Sequence, residues 1–277
     1  MYDAEISRTH PTAYVFLIDQ SASMRDAMAT GTSKAQFVSD VINRTLRDLV
    51  VRCSREEGIR DYFDIAVIGY GDTSVRNALS GELSHEWLHP ISVVADHTLR
   101  VEDRPRKVDD GAGGLVTENV KFPIWVDPVA NGGTPMQSAL ATCARIVADW
   151  SDAHPDSFPA TVLHITDGES TDGSPEHNAG ILRSLCTNDG STLLYNIHVT
   201  TQNVTPLRYP THESALPDEY SRTLFRMSSG FPEHVRRYAA EAHGLTLAPD
   251  ARAMVLNADA EELVKFLDIG SRPAAMR

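Results

Sequence analysis

The sequence predicts an α/β protein with an open, mostly parallel central sheet and helices on both faces. Short, near-continuous apolar runs, of the kind a strand shows when both its faces are covered, alternate with longer amphipathic runs along the chain. Two of the apolar runs end in a carboxylate. No proline- or serine-rich linker breaks the alternation and no internal repeat shows, so residues 1–277 read as a single domain.

Ala13–Asp19 (AYVFLID) is the first expected strand. Lys34–Cys53 follows as a helix, with Val38, Val41, Ile42, Leu46, Leu49, Val50 and Cys53 on one face. Asp40, Asn43, Arg44, Arg47 and Asp48 are expected on the other. Phe63–Gly69 is the second strand. An insertion is expected around 79–128, where His89–Ala95 and Val120–Val126 read as strand fragments separated by a glycine-rich loop, Asp109–Gly114. Gly132-Gly133-Thr134-Pro135 opens a second helix, with Pro135 at its first position. Met136, Ala139, Leu140, Cys143, Ile146, Val147 and Trp150 form its single apolar stripe. Thr161–Asp167 (TVLHITD) is another buried strand, Ile181–Cys186 a helix and Leu193–Val199 a strand. A strand-helix extension around 231–277 comprises a helix at Pro232–His243, a strand at Ala253–Asn257 and a last helix through Ile269. Asp259 and Glu262 form the capping box of that last helix.

Composition narrows the function classes. Hydrophobic residues make up 42% of the chain, enough for a core and too many for a disordered protein. The 25 basic and 38 acidic residues leave a formal charge of −13, which repels phosphate backbones. The densest basic stretch, Arg100–Lys107, is interrupted by Glu102 and Asp103, so no nucleic-acid partner is expected. No apolar run approaches the ~20 residues of a membrane span. The opening residues Met1-Tyr2-Asp3-Ala4-Glu5 lack the chemistry of a secretory signal. Cys53, Cys143 and Cys186 lie far apart without CxxC spacing and read as reduced core thiols, which points to a cytoplasmic location.

The chemistry gathers in three loops: Asp19-Gln20-Ser21-Ala22-Ser23, Gly132-Gly133-Thr134-Pro135 and Thr166-Asp167-Gly168. In an open α/β sheet the carboxyl ends of neighbouring strands form the ligand crevice. Two carboxylates and three hydroxyls brought there make an all-oxygen shell, which suits a hard cation such as Mg²⁺.

Asp-x-Ser-x-Ser, then a distant Thr, then a distant Asp, resembles the metal-ion-dependent adhesion site of the von Willebrand factor A (vWA) family, over most of the chain. The resemblance implies that Ser21, Ser23 and Thr134 supply hydroxyl ligands to Mg²⁺, or to Mn²⁺ in its place. It implies that Asp19 and Asp167 supply the carboxylates, often through water. The implied function is a non-catalytic interaction module whose protein partner completes the shell with an Asp or Glu. Ala22 stands where many relatives have Gly. The Asp19-to-Thr134 separation exceeds the family's usual spacing, in line with the insertion. YVFLIDQSASM, GGTP and ARAMVLNADAEELVKFLDIGS are similar to bacterial cytoplasmic A-domain proteins of the tellurium-resistance-associated kind. That resemblance implies a stress-response or phospho-signalling setting, with a protein kinase or phosphatase as neighbour.

Plainer readings stand beside these. Asp19 also suits a cap, Ser21 a turn and Thr134 an N-cap. His164 and His198 read as satisfied core histidines, Cys143 as packing and Asp109-Asp110 as a solvated loop. The rival function is a metal-dependent phosphatase or hydrolase on the same strand ends. A haloacid-dehalogenase-type enzyme, however, has Asp where this chain has Ser21 and needs a later lysine. Lys34, Lys107, Lys121 and Lys265 are the only lysines, none in a motif near the strand ends. His and Glu are absent from the three loops, so no general base is expected.

Overall fold

The computed structural model describes residues 2–28, 31–109, 114–200, 206–257 and 260–270. The first strand, β1 (Thr12–Asp19), is buried along its whole length. Ala13, Val15 and Leu17 enter one core and Tyr14, Phe16 and Ile18 the other, as strand alternation requires. Helix α1 (Lys34–Cys53) starts at Ser33, whose hydroxyl accepts the Gln36 N–H at 3.1 Å. The short strands β2 (Ser54–Arg55) and β3 (Gly58–Ile59) pair with each other and lead to β4 (Phe63–Gly71). Then come β5 (Ser74–Asn77), β6 (His89–Pro90), α2 (Ile91–Asp96), β7 (Arg100–Asp109), β8 (Leu115–Ile124) and α3 (Met136–Ala153). The remainder is β9 (Thr161–Thr166), α4 (Glu176–Ser184), β10 (Leu193–His198), β11 (Leu207–Arg208), α5 (Glu219–Met227), α6 (Glu233–His243), β12 (Met254–Leu256) and α7 (Ala260–Gly270).

Among the described residues the main sheet runs β11-β12-β10-β9-β1-β4-β5, with β6 also on β4. The five strands β12, β10, β9, β1 and β4 are parallel; β11, β5 and β6 are antiparallel additions at its edges. Helices α1, α2, α6 and α7 cover one face, α3, α4 and α5 the other. This is the predicted α/β architecture, of the vWA or Rossmann-like type. The chain leaves β1 for β4 on one side and returns to β9 on the other, so the sheet's switch point lies between β1 and β9.

Several expectations change. Only His89 and Pro90 pair as strand; Ile91–Asp96 is helical. Pro90 fixes the backbone just ahead of the first turn, and Ile91 and Val94, three residues apart, both enter the core. Val120–Ile124 of the expected Val120–Val126 strand belongs to the antiparallel β7–β8 ribbon, whose register runs from Arg100↔Ile124 to Asp109↔Leu115, and Trp125 and Val126 follow it outside the strand. Asp109 is therefore strand, and residues 110–113 of the expected loop lie outside the described residues, as does Asp259 of the expected capping box. Asn43, placed by periodicity on the polar face of α1, is fully buried. Its Oδ1 accepts the N–H groups of Trp125 and Val126 at 2.8 and 3.1 Å, and its Nδ2 donates to the Val126 carbonyl at 2.9 Å. Cys186 is exposed, not a core thiol, whereas Cys53 and Cys143 are buried. Helix α5 was not expected from the sequence, although it carries Leu224, Phe225 and Met227 into the core. Asp218 and Ser221 form its capping box.

Candidate metal centre

The β1–β9 register pairs Ile18 with Ile165, which sets Asp19 beside Thr166 at the carboxyl ends of the two strands. The Thr166 hydroxyl donates to Asp19 Oδ2 at 2.7 Å, and the Ser21 backbone N–H donates to Oδ1 at 2.9 Å. Asp19 is 1% exposed. Burial pushes its carboxyl up to about 6; hydrogen bonds from Ser21 oppose the rise and the nearby charge of Asp167 adds to it. From Asp19 the contacts continue outward. Ser21 Oγ lies 3.0 Å from Ser23 Oγ, and Ser23 Oγ donates to Asp167 Oδ1 at 2.8 Å. Four of the five sequence-predicted residues thus form one connected cluster at the switch point.

Thr134 joins through its backbone. Asn131 N–H donates to the Gln20 carbonyl at 2.7 Å and Ala22 N–H to the Gly132 carbonyl at 2.9 Å, stitching its loop to the Ser21 loop. Gly132 has φ +60°, and a Cβ there would meet Asp72 Cα at 2.4 Å, so this approach requires glycine. Thr134 and Thr171 clasp each other: Thr134 N–H donates to Thr171 Oγ1 and Thr171 N–H to the Thr134 carbonyl, both at 2.9 Å. Thr134 does not cap α3 with its side chain, and Pro135 sits at the cap position, not inside the helix. Asp172 takes the capping role from the β9 loop, accepting the N–H groups of Gln137 and Ser138 at 2.9 Å each. Burial pushes the Asp172 carboxyl up, but hydrogen bonds from Ser138, Ser170 and Gln137 outweigh it and hold it below the usual range. The Thr134 hydroxyl is therefore not consumed by helix capping.

A lysine does stand at this rim. Lys34, the first residue of α1, is 5% exposed, and its Nζ lies 2.7 Å from Asp167 Oδ2. Motif reading missed it because it belongs to no loop signature. Thr166 stands in the third of the expected loops, but its role there follows from register with β1 and was not assigned from the sequence. His164 is a satisfied core histidine, bonded to Tyr70 and Asn196. His198 is buried at the end of β10, but its Nδ1 has no hydrogen-bond partner among the described residues. The ring does bond the Asp167 backbone, so the satisfied-core reading holds only in part.

Among the described residues no group of three or more His, Cys, Asp and Glu side chains could hold a metal. The cluster offers two carboxylates and several hydroxyls instead. Two inward carboxylates, one of them lifted by burial, with the Ser21, Ser23 and Thr166 hydroxyls beside them and one lysine on Asp167 Oδ2, fit a hard divalent cation.

No family model matches the sequence, and no curated protein matches it. Among solved structures, proximal thread matrix protein 1 from the mussel byssus is similar, with a TM-score of 0.50 and 14% identity over 96% of this chain and 48% of that one. This chain therefore spans about half the length of that protein. The vWF domain of the type V pili tip protein Mfa5 from Porphyromonas gingivalis aligns with 58% of this chain and 39% of its own, at 17% identity and a TM-score of 0.31. The manganese-loaded Plasmodium vivax TRAP protein aligns with 69% of this chain and 57% of its own, at 13% identity and a TM-score of 0.35. The first likeness shows the fold alone, and the two looser ones add nothing to it.

Proposed function

We propose that this protein is a divalent-cation-dependent protein-interaction module without catalysis of its own. In this reading Asp19, Ser21, Ser23, Thr134 and Asp167 hold Mg²⁺, or Mn²⁺ in its place, and a partner's Asp or Glu completes the shell. The observation that carries it is the connected run Asp19–Ser21–Ser23–Asp167 at the sheet's switch point. The ion, when bound, supplies a positive centre that accepts an anionic side chain. The chain's own residues fix where that centre lies: Asp19 from β1, the serines from the following loop, and Thr134 from a loop pinned by Thr171. A charge-assisted contact of this kind selects partners by an acidic side chain at a defined point.

The hydrolase reading keeps one observation in its favour, Lys34 beside Asp167. Asp19 argues against it. Both its carboxylate oxygens are hydrogen-bonded and the side chain is buried, which suits a held ligand and not an attacking nucleophile. A phosphatase assay with Mg²⁺ and Mn²⁺ separates the two readings, with no turnover above a metal-free control expected. The resemblance of the first strand, the GGTP turn and the last helix supports a bacterial cytoplasmic setting beside a kinase or phosphatase.

The test is a pull-down from native lysate with Mg²⁺, with EDTA and with Thr134→Ala. Chelation should release the partner, and Thr134→Ala should weaken partner binding more than metal binding. Equal retention in all three would place the interaction surface elsewhere.

A further inference from the structure

We infer that Lys34 is a built-in counter-cation of the metal centre, which lowers its affinity for the ion and leaves the loaded site electrophilic toward a partner's carboxylate. The inference rests on the metal-binding reading of the cluster.

Lys34 is not a surface lysine that happens to lie nearby. It is buried, its Nζ is 2.7 Å from Asp167 Oδ2, and the Asp167 side chain is itself 1% exposed. The other carboxylate in reach, Asp26, lies at 3.5 Å with a side chain 61% exposed, so water screens it and Asp167 is the main partner. Lys34 is also held by its backbone, through N–H donation to the Asp26 carbonyl at 3.0 Å. A helix N-terminus disfavours a cation, so nothing in α1 itself explains a buried lysine at its first position. Asp167 does explain it.

The charges then decide what the site can accept. Asp19 and Asp167 alone would neutralise a divalent ion, leaving little attraction for a further anion. With Lys34 the loaded site keeps one net positive charge, which a single Asp or Glu from a partner cancels. The geometry also constrains Asp167. Oδ1 takes the Ser23 hydroxyl and Oδ2 takes Lys34, so this carboxylate is suited to act on an ion through water.

The test is calorimetric titration of Mg²⁺, and separately of Mn²⁺, into wild type, Lys34→Met and Lys34→Arg at fixed ionic strength, with folding checked by circular dichroism. Lys34→Met should bind about tenfold more tightly or better, because it removes the positive charge and keeps the buried stem. Lys34→Arg keeps the positive charge and should show no such gain, although its larger planar head need not sit as the ammonium does. If Lys34→Met misfolds, Lys34→Gln replaces it with the same expectation. Equal or weaker binding by the neutral variant, alongside measurable wild-type binding, overturns this inference and leaves the metal reading standing. Absence of binding by every protein overturns both.

Discussion

The Thr166 hydroxyl donates to Asp19 Oδ2 at 2.7 Å, joining the ends of the two strands that flank the sheet's switch point. Parallel pairing of β1 and β9 sets the two side chains on the same face, and burial of both leaves the carboxylate few other donors. The link makes Thr166 a positioning residue for Asp19.

Thr166→Val keeps the branched shape and removes the donor. One lone pair of a buried carboxylate is then unsatisfied, at a cost of about 1–3 kcal/mol to the metal-free protein. Urea denaturation without divalent ions measures this; a loss near zero would mean that water replaces the hydroxyl.

Asn43 closes three hydrogen bonds with the segment after β8, including the backbone of Trp125 and Val126. Asn43→Ala strands those groups in the core and should cost about 3 kcal/mol by chemical denaturation. Arg44→Ala, one residue on and exposed, should change stability by less than about 0.5 kcal/mol. Similar losses for the two would contradict the assigned role of Asn43.

Acid sensitivity should come in part from His164. Its Nδ1–H donates to Asn196 Oδ1 at 2.8 Å and its Nε2 accepts the Tyr70 hydroxyl at 2.7 Å. Burial pushes the imidazole down to about 4, with the Asn196 hydrogen bond only partly opposing. The unfolded chain takes up the proton first, so this contribution is complete above the unfolded value near 6.5. It is lost as pH falls toward 4, by about 3 kcal/mol in all. His164→Gln should flatten the stability curve between pH 6.5 and 4.5 relative to wild type. Parallel curves would contradict the assignment.

The β7–β8 ribbon is held to α1 by Arg104, whose guanidinium lies 4.2 Å from the Phe122 ring centroid and 2.8 Å from Asp40. Arg104→Ala should loosen the ribbon by about 1–2 kcal/mol and leave the main sheet intact. Hydrogen exchange should quicken in β7 and β8 while β1 and β9 keep their protection. Uniform acceleration would show that the ribbon is integral to the core.

The parts of the fold that could be read in the sequence are those with strong periodicity. The run from Lys34 to Cys53 is helical over the expected span, and the strands ending at Asp19 and Thr166 are continuous and apolar. The ribbon was legible only in fragments, because β7 (RVEDRPRKVD) is mostly charged and its few apolar residues, Val101, Pro105 and Val108, keep no strand period. Asn43 shows the limit of periodicity in the other direction: a polar residue near the edge of an apolar stripe can be buried when it satisfies a neighbouring backbone. At the candidate site, residues adjacent in a motif could be found from the sequence. Lys34 and Asp172 could not, since each reaches the site from outside the three loops, and Thr166, though part of one of them, owes its bond to Asp19 to the register of β1 and β9.

The central claim is that the cluster holds a divalent cation, and the most direct measurement is calorimetric titration of Mg²⁺ into the metal-free protein and into Asp19→Ala and Ser21→Ala. Wild type should bind one ion, and both variants should lose binding while remaining folded, since loss of a metal held at 100 times its dissociation constant withdraws only ~2.7 kcal/mol. Wild-type-like binding by Asp19→Ala would contradict the account.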